Sequence, residues 1–164
     1  MTDQLTEEKK TARVLDAVAD AHTALIDAVH GYDVMLEKAE AEISAVLVKT
    51  REANQRQAEE LHQFLVAQGR RPSDKGSFMS MVHEGVVRTR ALIGDIDGDV
   101  LSAVADGERR LVSSYDDVLE KLVGSKESLP RDTYDQAHEL VVRHRAEIEQ
   151  VVADLHIRKR SLNS

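Results

Sequence analysis

Apolar residues recur along the first part of the chain at alternating steps of four and three: Val14, Val18, Ala21, Leu25, Ala28, Tyr32, Met35 and Ala39. This spacing keeps the side chains on one side of an α-helix, so it predicts a long helix with a single apolar seam. After a polar break near Ala41 to Ser44 the pattern resumes with Leu47, Asn54, Ala58, Leu61 and Leu65 turned inward, and Gly69 is placed to stop a second helix. A third helix is expected after the GDIDGD stretch, with Asp97 or Asp99 as its cap, and ends at Gly124. Its seam is Leu101, Val104, Glu108, Leu111, Tyr115, Val118 and Leu122. The fourth opens after Ser128-Leu129-Pro130, because proline suits a first helical turn, and carries Tyr134, Ala137, Val141, His144, Ile148, Val151 and Leu155. It is expected to fray in the basic tail RKRSLNS.

The seams repeat in kind as well as in period. Tyr32 to Lys38 reads YDVMLEK and Tyr115 to Lys121 reads YDDVLEK; QAEELH from Gln57 is echoed by QAHELV from Gln136. A helical hairpin used twice explains both echoes. A helix of about 26 residues is roughly 39 Å long, and one hairpin cannot hide such a seam from water. Two hairpins packed together can, which gives an all-α four-helix bundle. The link from Arg70 to Gly98 is too long for a tight turn and predicts a long crossover connection. Within it Phe78, Met81, Val82, Gly85, Thr89 and Leu92 share a helical face, so a short extra helix is expected there. A β-sheet is excluded because no segment sustains period-two alternation between turn residues. The expected layout is an N-terminal extension over 1–10, one bundle domain over 11–158 and a tail over 159–164.

Composition narrows the function classes. A net charge of -8 opposes a phosphate backbone, whose binding needs clustered Lys and Arg, so nucleic acid is not an expected partner. With no Cys, thiolate nucleophiles, Fe–S clusters and thiolate zinc sites are excluded. The polar start MTDQLTEEKK lacks the basic-then-apolar pattern of a secretory signal, and no apolar run approaches the ~20 residues of a membrane span. A cytoplasmic protein without membrane insertion is expected.

Two seam positions are not apolar, Glu108 and His144. If the third and fourth helices reverse about a turn centred near Lys126, these two face each other inside the bundle, and a buried carboxylate needs such a partner or a proton. Glu59 and His62 form Glu-x-x-His, a spacing that projects a carboxylate and an imidazole to one side of a helix, where both could reach one ion. A carboxylate-bridged di-iron bundle needs two such pairs and a Glu from each remaining helix. Here the second pair is missing: Val141 stands three residues before His144, Asp135 and His138 lie out of the repeat's register, and Leu25 occupies the position equivalent to Glu108. The bland alternatives are a hydrogen-bonded core pair for Glu108 and His144, and a partly solvated face for Glu59 and His62. Tyr32 and Tyr115 are read as seam residues whose hydroxyls reach a polar neighbour. No Gly-rich phosphate loop, nucleophile elbow or Ser/His/Asp arrangement is recognisable.

GYD in the first helix, DGERRLVSSYDDVL in the third with Gly107, Glu108 and Tyr115, and His144 in the fourth resemble a bacterial four-helix-bundle family catalogued as domain of unknown function 2383, within the ferritin-like class. The resemblance runs from about Thr11 to Leu155. It implies a ferritin-like bundle with a long connection between the second and third helices, and no established activity. Ferritin-like relatives bind iron or manganese through Glu and Glu-x-x-His residues, so the resemblance makes Glu59, His62, Glu108 and His144 the candidate metal ligands. Three functions compete. The first is a non-enzymatic bundle that acts by association, as a self-assembling or stress-associated scaffold, with a homodimer as the simplest assembly and no cofactor. The second is a metal-binding bundle with oxidase or storage chemistry at a partial site. The third is a small-molecule sensor whose polar seam residues line a pocket. No complete catalytic constellation supports an enzyme.

Overall fold

The four seams become four helices in the computed structural model, which describes residues 1–73 and 100–164: α1 (Thr2–Leu36), α2 (Ala41–Ala67), α3 (Val100–Val123) and α4 (Arg131–Leu162). Among the described residues there is no strand, and no helix is long and apolar enough to cross a membrane. The expected extra helix over Phe78 to Leu92 and the expected caps Asp97 and Asp99 lie outside the described residues.

Element boundaries differ from the sequence pattern in three places. The break between α1 and α2 falls at 37–40 rather than at Ala41 to Ser44, because α2 starts where Glu40 adopts an extended backbone and its carbonyl accepts the Ser44 N–H at 2.7 Å. α1 begins at Thr2, so the expected extension is helical, though every residue from 1 to 10 is exposed. The basic tail does not fray at Arg158 but stays helical to Leu162, with Lys159 reaching the Ser102 hydroxyl on α3 at 2.5 Å.

The end of α2 follows its glycine. Gly69 has φ +79, its N–H donates to the Val66 carbonyl at 3.0 Å, and the Arg70 N–H donates to the Leu65 carbonyl at 2.9 Å. These two bonds close the last turn, and only the residue without a Cβ takes the left-handed conformation at no cost. Gly69→Ala is expected to cost about 1 kcal/mol, read as a lower urea midpoint with an unchanged slope.

Partners across the bundle give the helix directions. Asp33 on α1 pairs with Arg51 on α2, and Asp16 with Arg70 just beyond α2, so α1 and α2 are antiparallel. α1 also opposes α3, since Tyr32 meets Glu108 while Thr11 reaches the Ser128 carbonyl beyond α3. Arg56 with Glu147 and Glu60 with Arg143 run α4 against α2. It follows that α2 and α3 point the same way, and that the end of α2 and the start of α3 lie at opposite ends of the bundle. The long crossover order expected from the linker length is therefore the observed one.

Apolar side chains form two clusters stacked along the bundle. One holds Leu25, Leu61, Tyr115, Leu122 and Ile148; the other holds Tyr32, Leu47, Leu101, Val104 and Leu155. The buried polar residues Asn54, Gln57 and Glu108 come between the two groups along α2 and α3, so the seam changes chemistry at the waist of the bundle. A polar layer of this kind fixes helix register, because a slip of one turn would leave its groups without partners.

Candidate functional site

The waist is built by positions that the heptad-like seam forces inward. On α3 Glu108 is 0% exposed. Its Oε1 accepts the Tyr32 hydroxyl from α1 at 2.5 Å and the Asn54 amide from α2 at 2.8 Å, while Oε2 has no hydrogen-bond partner. Burial raises the Glu108 pKa above its ordinary carboxylate value, against the lowering effect of the two donors, and so favours the protonated acid. Tyr32 is pushed well above the usual phenol range by burial and by the Glu108 carboxylate beside it.

A second network lies on the other side of the waist. His144 on α4 is also 0% exposed, with Nδ1 2.9 Å from the Tyr115 hydroxyl and Nε2 3.1 Å from Glu60 Oε2. Burial lowers the His144 pKa more than the Glu60 hydrogen bond raises it, so the imidazole is neutral and its contact with Glu60 is a hydrogen bond rather than an ion pair. One tautomer satisfies both nitrogens: Nε2–H donates to the carboxylate, and Nδ1 accepts the Tyr115 O–H. Gln57 closes the layer. Its Oε1 lies 3.2 Å from the Tyr115 oxygen, and its amide nitrogen donates to the His144 carbonyl at 3.3 Å and to Glu147 at 3.0 Å.

At the surface edge Arg143 holds Glu60 and Arg56 holds Glu147. The Arg143 hydrogen bond keeps Glu60 below its ordinary pKa. Burial works the other way at Glu147, but hydrogen bonds from Gln57 and Arg56 outweigh it and hold that carboxyl low as well. Burial, reinforced by the carboxylates of Glu147 and Glu60, drives the Tyr115 pKa far up. The result is a hydrogen-bonded line from the core to the surface, Tyr115 to His144 to Glu60 to Arg143, in which the phenol and imidazole are neutral.

The expected Glu108–His144 pair does not form. The reason is the connection between α3 and α4, which does not reverse tightly at Lys126. It winds on, with the Ser128 and Leu129 N–H groups both donating to the Ser125 carbonyl, and tucks Leu129 into the core. α4 is thereby displaced along α3: Asp116 meets Arg145, Tyr115 meets His144, and Arg109 meets His156, so His144 lies about two helical turns along the bundle from Glu108. Each of the two buried groups takes a tyrosine instead, which agrees with the reading of Tyr32 and Tyr115 as seam residues with polar neighbours.

Glu59 and His62 stand elsewhere. Glu59 is exposed and accepts the Gln55 amide at 3.1 Å, while His62 is half-buried with its ring centroid 5.8 Å from that of His22. Together with His22 and His30 they line an open groove of about 470 Å³ on the α1/α2 side. Among the described residues no three His, Cys, Asp or Glu side chains converge where a metal ion could sit. The four candidate ligands are therefore divided among three places, and the donors as they stand do not make the carboxylate-bridged centre that the resemblance implies. Glu60, Gln57 and Arg143 escaped the sequence reading because none is apolar or in metal-ligand spacing. The one legible signal was Asn54, a polar residue already in the α2 seam, with Gln57 three positions on.

Residues 13–121 match a family model described as Domain of unknown function (DUF2383). No curated protein and no solved structure matches the chain significantly.

Proposed function

The chain belongs to the DUF2383 family, and we propose that it is a non-catalytic, ferritin-like helical bundle acting in the cytoplasm by association, as a self-assembling or stress-associated scaffold. The observation that carries this reading is the closure of the core chemistry. Glu108 and His144 are fully buried, Tyr32 and Tyr115 nearly so, and their functional atoms are engaged mainly with one another. Groups held in this way fix register and direction, whereas a catalytic acid or base must reach its substrate. The parallel α2 and α3 support the ferritin-like assignment. Association is supported by residues 2–10 of α1, an exposed helical segment with Leu5 on its surface, and by exposed Val66 and Val142. A homodimer is the simplest assembly these surfaces allow.

The alternative, an iron- or manganese-binding bundle, draws support from the unpartnered Oε2 of Glu108 and from the histidines around Glu59. Sedimentation equilibrium of the full chain over a hundredfold concentration range, with metal analysis of protein from iron- and manganese-supplemented cells, separates the two. Self-association without stoichiometric metal is the expected result. A monomer at every concentration would overturn the association reading, and near-stoichiometric metal lost on Glu59→Ala with Glu108→Ala would establish the alternative.

A further inference from the structure

Where α2 begins and α4 ends, the two helices enclose an open groove of about 580 Å³. Its deeper surface is Val46, Ala53, Val151 and Leu155, and two cations, Lys49 and Arg158, stand exposed on its sides. The chain has a net charge of -8, and Arg51, Arg56, Arg70, Arg109, Arg143 and Arg145 all pair with carboxylates. Lys49 and Arg158 do not: among the described residues neither makes an ion pair or a side-chain hydrogen bond. Two of the groove's other polar groups are engaged within their own helices. Asp154 accepts the Gln150 amide at 2.9 Å, and the Thr50 hydroxyl donates to the Val46 carbonyl at 3.0 Å.

We propose that this groove binds a free acyl-chain carboxylate, with the chain along Val46, Ala53, Val151 and Leu155 and the carboxylate between Lys49 and Arg158. A volume in this range, an apolar lining and a few placed charges are the ordinary attributes of a small-ligand site. Two cations without a carboxylate partner beside apolar surface select an amphiphilic anion over a neutral apolar molecule. Length argues in the same direction. Ala45 to Ala53 covers about 12 Å along α2, which suits an extended chain and gives a partner helix only about two turns of contact. Arg158 also complements the negative end of the α4 dipole, but that role leaves its guanidinium donors open to a carboxylate. This inference is independent of the association reading, since a scaffold and a monomer would carry the groove alike.

Isothermal titration of the full chain with dodecanoate tests it, with dodecanol as the same chain without charge and acetate as the same charge without the chain. One saturable dodecanoate site is expected, at least about tenfold tighter than dodecanol, with no acetate binding. The double change Lys49→Ala with Arg158→Ala lies on the surface and is expected to weaken dodecanoate about tenfold without altering dodecanol binding or the thermal melt. Ala53→Phe is expected to abolish binding of both long-chain probes. No saturable heat, equal affinity for dodecanoate and dodecanol, or a double variant that binds as well as the parent would overturn the proposal. So would a wild-type dimer that Ala53→Phe converts to monomer with no carboxylate binding in either form, because a second copy would then be the occupant.

Discussion

Glu108→Ala is expected to lower the unfolding free energy by about 3 kcal/mol, while Glu108→Gln preserves or raises it at neutral pH. Alanine removes the acceptor for two sealed donors, the Tyr32 hydroxyl and the Asn54 amide, and leaves a cavity between the two apolar clusters. Each orphaned donor costs about 1–3 kcal/mol, and loss of the carboxyl's own burial penalty offsets part of the sum. Glutamine offers a carbonyl oxygen to the same donors without a charge to bury. The pH dependence follows from the raised Glu108 pKa. Above the ordinary value of 4.5 the unfolded carboxyl releases its proton while the folded one retains it, so this group's contribution is full below 4.5 and is lost as pH rises towards the folded pKa. Urea unfolding from pH 4 to 8 should show Glu108→Gln gaining on the parent as pH rises. Equal stability of the Ala and Gln variants across that range would contradict the role given to Oε1.

His144→Ala is expected to cost a similar amount, about 3 kcal/mol, through a cavity in a fully closed part of the core and the loss of the nearer of the two acceptors beside the Tyr115 hydroxyl. Its pH signature has the opposite sign. With the folded pKa depressed by burial, the imidazole's contribution is full above the ordinary 6.5 and is lost as pH falls through the folded pKa, because the unfolded chain takes up a proton that the folded one refuses. The parent should therefore lose stability between pH 7 and 5, and His144→Ala should lack that slope. Persistence of the slope in the variant would assign it to another group. The depressed pKa values of Glu60 and Glu147 act later, since their contributions disappear only as pH falls below 4.5. The two buried groups thus act in opposite directions across the mid-pH range, with Glu108 favouring acid and His144 favouring base.

Residue spacing was enough to give four helices, their buried faces and the reuse of one hairpin. Period alone makes Leu25, Leu61, Val118 and Ile148 inward positions, and each is buried. Gly69 marked the end of α2 because its left-handed backbone is a local property, and the linker length carried the parallel order of α2 and α3 because chain length limits connectivity. Likewise Glu108 and His144 were identifiable as buried polar residues from their seam positions. What they touch was decided only by the tertiary structure. The winding of Ser125 to Leu129 displaces α4 along α3, and that displacement hands Glu108 to Tyr32 and Asn54 and His144 to Tyr115 and Glu60. Helical period is a property of a few neighbouring residues and survives such a displacement unchanged. The pairing of side chains across helices depends on register, which the loop and the packing of the whole bundle set together.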